Sequence, residues 1–194
     1  TCTVLAALVD AMVAAGLCHT VLLKSDGTAI AFGVDQTMFD YHCDIPALPA
    51  GLTYTQASAG QAHTVLLRDD GTAVAFGDNT RGQCKIPTLK KNLIYTSVVA
   101  GLEHTVLLKS DGTAVAVGCD DFGQCGIPHL KDGTTYTQVA AGAHHTVLLK
   151  SDGVAVAVGG WRCRRRAYDA IGGWRYSPVR EDLRELCKTP AQCR

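Results

Sequence analysis

Apolar and polar positions along this chain fall into short runs rather than helical stripes. The clearest is His104-Thr-Val-Leu-Leu-Lys109, followed by Ser110-Asp-Gly-Thr113 and then by Ala114-Val-Ala-Val-Gly118. Both halves are rich in branched side chains, and the Asp111-Gly112 pair between them is a tight-turn signal, so the pattern predicts a two-stranded hairpin. Nearly the same words begin at His19, His63 and His145, with turns at Asp26-Gly27, Asp70-Gly71 and Asp152-Gly153. Val106, Leu107 and Leu108 run together without alternating with polar residues, which predicts strands covered on both faces. Small residues at Ala73, Ala75, Ala114 and Ala116 let neighbouring sheets approach closely.

The words keep a period. The histidines lie 44, 41 and 41 residues apart, and the pairs Ile45-Pro46, Ile86-Pro87 and Ile127-Pro128 lie 41 and 41 apart. The three extra residues of the first interval therefore sit between Gly33 and Ile45. Each full unit starts at a Tyr-Thr strand (Tyr54, Tyr95, Tyr136), passes an Ala-Gly step and the hairpin, and ends in a glycine-rich loop before Ile-Pro. That makes three or four short strands per unit. Ala11 to Gly16 aligns with residues 55–60, 96–101 and 137–142, so it reads as a strand of a degraded first copy. Sheets stacked face to face around an axis satisfy the period, the buried strands and the small residues together, which means propeller blades.

Ala-Gly-x-x-His-Thr, then Leu-x-x-Asp-Gly, then a strand ending in Gly, then Gly82-Gln83-Cys84 and Gly123-Gln124-Cys125, closely resembles the regulator of chromosome condensation repeat. The match runs from about residue 10 to 159, and its short period is similar to the compact form of bacterial members. The resemblance implies an all-β propeller that binds proteins. In some family members that means nucleotide exchange on a small GTPase with chromatin association, and in others a module of large ubiquitin ligases. The family ring has seven blades, whereas here there are four copies, with blades near 10–53, 54–94, 95–135 and 136–159. A partial or open propeller with two exposed ends is therefore expected, and with it self-association through those ends. The chain begins at Thr1 without an initiator Met, and we expect it to be a piece of something longer. The apolar run 1–16 lacks a preceding basic segment and is interrupted by Asp10, so neither a signal peptide nor a membrane span is read there.

Charge adds a boundary. The formal net charge of the 194 residues is zero, but residues 1–159 carry nine Lys/Arg and fourteen Asp/Glu, and residues 160–194 carry nine and four. After Gly159 the repeat words stop and Trp161-Arg-Cys-Arg-Arg-Arg166 replaces them. Ser177-Pro178 with Val179, Leu183 and Leu186 predicts a short helix from about 178 to 187. Trp161, Arg164, Arg165 and Arg166 have the chemistry for nucleic-acid phosphates or an acidic partner. The other reading is a basic tail laid on the acidic repeat body or left unstructured.

The candidate chemistry is structural more than catalytic. His19, His63, His104 and His145 recur once per unit, as do Gly27, Gly71, Gly112 and Gly153. A residue written into every unit serves the unit, so we expect partly buried imidazoles that satisfy turn backbone groups. Ser25, Ser110 and Ser151 lie in the hairpin turns, about 20 Å along an extended strand from the histidines, which excludes a Ser-His-Asp arrangement. The glycine-rich loops lack the Gly-Lys-Ser/Thr ending of a phosphate cradle.

Cys43, Cys84 and Cys125 stand at one repeat position. Packed sheets hold such positions about 10 Å apart, beyond the roughly 7 Å Cα separation of a disulfide and the roughly 2.3 Å bonds of a shared zinc. Reduced, separate thiols follow, and with them a cytoplasmic or nuclear setting. No enzyme, cofactor, metal site or membrane association is read. The loops between hairpin and Ile-Pro differ most between copies, and Asp35, Asp40, Asp78, Asn79, Arg81, Asp120, Asp121 and Phe122 are the candidate protein-binding residues there. The alternative is that they are solvated turn residues.

Overall fold

The computed structural model describes residues 12–33, 43–90, 92–130, 133–160, 166–168 and 174–176. Each predicted hairpin forms, and an inner strand joins it to give a three-stranded antiparallel meander. The first sheet is β1 (Met12–Ala15), β2 (His19–Leu23) and β3 (Ala29–Gly33). The second is β4 (Tyr54–Ala59), β5 (His63–Arg68) and β6 (Ala73–Gly77). The third is β7 (Tyr95–Ala100), β8 (His104–Lys109) and β9 (Ala114–Gly118). The fourth, β10 (Tyr136–Ala141), β11 (His145–Lys150) and β12 (Ala155–Gly159), is extended by β13 (Arg166–Tyr168) and β14 (Trp174–Tyr176). Two short strands thus come from the segment read as a basic tail. The helix expected near 178–187 lies outside the described residues.

The hairpin turns close as their sequence demands. Asp70 Oδ1 accepts both the backbone N–H and the hydroxyl of Thr72, and Asp26 and Asp111 do the same for Thr28 and Thr113. This is the side-chain turn that Asp favours. Gly71 then takes φ +77, and a Cβ there would press into Ile94 at the head of the next sheet. Its carbonyl accepts Tyr95 N–H at 2.8 Å, so the turn of one blade also fixes the entry of the next.

The inner strands share a register shift immediately after Tyr54, Tyr95 and Tyr136. Each buried tyrosine donates its hydroxyl to the carbonyl of the proline eight residues earlier, Pro46, Pro87 or Pro128. This bond gives the recurring Ile-Pro and Tyr-Thr words one common structural purpose.

The core lies between the sheets rather than within one. Val65 and Leu67 of the second sheet pack on Tyr95, Val98 and Leu107 of the third. The same positions recur as Val21 and Leu23 against Tyr54, Ala57 and Leu66, and as Leu108 against Tyr136, Val139 and Leu148. The first five residues of β5 and of β8 are buried, so the unbroken apolar runs are middle strands with a sheet on either side. The inner strands also bond between blades: Gln56 Oε1 accepts Val98 N–H at 2.8 Å, and Ser58 Oγ accepts Ala100 N–H at 2.9 Å.

The stack is not closed. In β2, Thr20 and Leu22 alternate with buried neighbours and are only partly covered; in β11 it is His145, Val147 and Leu149 that lose cover. Val13 is 61% exposed, whereas its repeat equivalent Val98 is fully buried. No helix among the described residues is long and apolar enough to cross a membrane.

Candidate functional site: the loops over the blade junctions

The loops from Gly16, Gly60, Gly101 and Gly142 to the histidines share one edge of the sheets with the Gly-Gln-Cys loops, and this edge is where the variable residues gather. Its foundation is the repeated histidine. Gly60 and Gly101 let the His63 and His104 rings lie against the backbone three residues earlier, since a Cβ at Gly60 would stand 2.6 Å from His63 Nδ1. So placed, His63 Nε2 meets Thr105 Oγ1 at 3.0 Å, His104 Nε2 meets Thr146 Oγ1 at 3.0 Å, and His19 Nε2 meets Thr64 Oγ1 at 2.8 Å. Thr105 and Thr146 donate their hydroxyl protons to the carbonyls of Gln83 and Gln124, each at 2.8 Å. With its proton spent there, the hydroxyl accepts from Nε2–H, which assigns the Nε2-protonated tautomer to His63 and His104.

The expectation that these imidazoles serve turn backbone groups is thereby corrected. Their Nε2 atoms reach across the junction to the next sheet's threonine. Both rings are fully buried. Burial, then the neighbouring histidines, lowers the His63 and His104 pKa to about 4. They are neutral struts, unsuited to proton transfer near neutral pH.

The Gly-Gln-Cys word is built on the same plan. The Gln83 and Gln124 side chains are buried, and their Oε1 atoms accept the N–H of Arg81 and of Phe122. The loops dock on the following blade: Gln83 Cα lies so close to Gly118 that a Cβ there would be 3.2 Å away. Cys84 and Cys125 donate their thiols to the carbonyls of Asp78 and Cys119. Burial, reinforced by the adjacent Asp78 and Asp120, pushes both thiols up to about 12. Cys18, Cys43, Cys84, Cys119 and Cys125 are unbridged, and no cluster of metal-ligating side chains occurs among the described residues.

This division of labour sorts the candidate binding residues. Asp78 accepts from Thr80 and from Gln83 Nε2, Asn79 Oδ1 accepts Cys84 N–H, and Asp120 Oδ1 accepts Cys125 N–H, so all three brace their own loops. Arg81, Asp121 and Phe122 are directed across the junctions. The Arg81 guanidinium lies 3.9 Å from Glu103 and 3.8 Å from Asp121, a half-exposed pairing of little energetic weight. The Phe122 ring sits 4.7 Å from that of His144. Glu103 and His144 were not singled out from the sequence. Their position, each one residue before the repeated histidine, was the available signal. Asp35, Asp40, Trp161, Arg164 and Arg165 lie outside the described residues; Arg166 opens β13. Gly27, Gly71, Gly112 and Gly153 all occupy hairpin turns with φ between 76° and 81°.

Residues 54–83 and 95–124 each match the family profile described as the regulator of chromosome condensation (RCC1) repeat. The chain contains repeats of this class, stacked as an unclosed propeller. Among solved structures it is similar to Prp20p from Saccharomyces cerevisiae, a protein with binding properties to Gsp1p and histones. The TM-score is 0.65 at 21% identity, covering 78% of this chain and 43% of that one. It is similar also to human WBSCR16, with a TM-score of 0.65, 20% identity, and coverage of 79% and 49%. The ectodomain of the receptor kinase CR4 from Physcomitrella patens aligns at 0.54 and 19% identity, over 81% of this chain and 38% of that one. These likenesses show the fold, and the chain spans less than half the length of each. No curated protein matches it.

Two predictions follow from the junction chemistry. Because the folded His63 and His104 resist a proton that the unfolded chain takes up below pH 6.5, stability present at neutral pH is lost as pH falls from 6.5 towards 4. The loss is up to about 1.4 kcal/mol per pH unit per histidine. Urea midpoints measured across that range should fall steeply in the native chain, and less steeply after His104→Gln; parallel profiles would refute the buried neutral assignment. The second concerns Gln124, whose buried Nε2 has no hydrogen-bond partner because Cys119 stands where Asp78 serves Gln83. Cys119→Asp should raise stability by about 1 kcal/mol, and a lower urea midpoint would sink this reading.

Proposed function

We propose that this chain is a non-enzymatic protein-binding module whose contact surface is the loop edge carrying Arg81, Glu103, Asp121, Phe122 and His144. The observation that carries the reading is the separation of tasks on that edge. Residues common to the copies, His, Thr, Gln and Cys, are turned inward and hydrogen-bonded. The residues that vary, Arg81 against Phe122, occupy equivalent places on that frame. Variation on a fixed scaffold is how such repeat surfaces acquire partners. The buried histidines His63 and His104 and the thiols of Cys84 and Cys125 are consumed structurally, which supports a binding role over catalysis.

A second reading is favoured by the acidic groups on this edge, Asp121 and Glu103, together with the histone binding named for Prp20p: a basic, chromatin-associated partner in a nuclear or cytoplasmic setting. Guanine nucleotide exchange and membership of a ubiquitin-ligase assembly belong to this proposal as contexts for binding.

Photo-crosslinking decides between a binding edge and a solvated one. A benzoylphenylalanine in place of Phe122 should yield discrete protein adducts in cells, while the same group in place of Asp111, on the opposite edge, should not. Adducts of equal number and intensity from both positions, or from neither, would contradict the assignment.

A further inference from the structure

The two ends of the stack are the two halves of the junction that the molecule builds three times internally. At each internal junction one sheet presents a His, a Val and a Leu from alternate positions of its middle strand. The next presents a Thr and a Leu from its own middle strand, and an apolar residue from its inner strand. His63, Val65 and Leu67 facing Thr105, Leu107 and Val98 is the central example, and all six are buried.

The fourth sheet presents the first half again. His145 and Val147 occupy the positions of His63 and Val65, and Leu149 that of Leu67, but His145 is exposed and the other two are only partly covered. The His145 ring is already held against Gly142 as His63 is against Gly60, since a Cβ at either glycine would stand 2.6 Å from Nδ1. The first sheet presents the second half. Thr20 and Leu22 are the equivalents of Thr105 and Leu107, and Val13, 61% exposed, is that of Val98.

We propose that these faces bind each other between two copies of this chain, head to tail. His145 Nε2–H of one copy donates to Thr20 Oγ1 of the other, and Val147 and Leu149 pack on Leu22 and Val13. Exposed Gln138 stands where Gln56 accepts the Val98 N–H, so its Oε1 accepts Val13 N–H of the other copy. The occupant is chosen by continuity: the two half-junctions left uncovered among the described residues are complementary to each other, one presenting His and Val where the other presents Thr and Leu. Such a contact is heterologous, joining unlike faces. It uses the flat faces of the end sheets rather than the loop edge.

Sedimentation of the full chain over a series of concentrations should show species of at least twice the 20.5 kDa monomer. Leu22→Glu and Val147→Glu each place an unpaired carboxylate in the contact and should weaken association by about tenfold or more. An equimolar mixture of the two variants retains one intact pair of faces and should recover a dimer, which a contact joining like faces does not allow. Circular dichroism matching the native chain confirms that each variant is folded, and recovery in the mixture requires folded partners in any case. A monomer at every concentration overturns the proposal, as does association that survives either substitution, or a mixture that stays monomeric.

Discussion

Everything in this chain depends on joining one small sheet to the next. A three-stranded meander of this size buries too little apolar surface to stand alone, because its middle strand is apolar on both faces and each face needs a cover. The repeated solution couples a hydrophobic contact to a polar one. Leucines and valines fill the space between sheets, while the His–Thr–Gln relay fixes register at one end of the junction. The Gly71 carbonyl bonded to Tyr95, and the Gly112 carbonyl bonded to Tyr136, fix it at the other. Two pinned ends leave the intervening strands one way to lie.

That constraint explains the otherwise odd composition of the repeat word. Glycine precedes the histidine by three residues because the ring occupies the space a Cβ would take. Threonine follows the histidine because its hydroxyl both accepts from the previous blade's imidazole and donates to that blade's glutamine carbonyl. Cysteine follows the glutamine as a compact, neutral donor to a loop carbonyl. These residue types would suggest chemistry elsewhere, but burial and hydrogen bonds across the junction make them mortar. What the junctions leave free is the variable loop edge above them.

Much of this was legible in the sequence. The Asp-Gly turns, the unbroken Val-Leu-Leu runs and the 41-residue period locate strands, hairpins and blades, because local turn chemistry and two-sided burial leave direct marks. The His-to-Thr partnership was not legible, since its members are 42 residues apart and each looks like a strand residue. Nor was the sorting of the loop candidates: Asp78 and Asn79 carry the same polar signature as Arg81, and only their geometry shows that they are spent on Gln83 and Cys84. Glu103 and His144 escaped notice because they lie in short loops whose place beside the Gly-Gln-Cys loops arises only on stacking. The contribution of β13 and β14 to the fourth sheet was hidden by the loss of the repeat words after Gly159.

The central claim is that the histidine and threonine stabilise the fold by acting on each other across the junction. A double-mutant cycle on His63→Ala and Thr105→Val, read by urea unfolding, measures that term while cancelling the cavity and turn effects of each substitution. The account predicts a coupling of about 1 to 2 kcal/mol; additive effects, with no coupling beyond error, would contradict it.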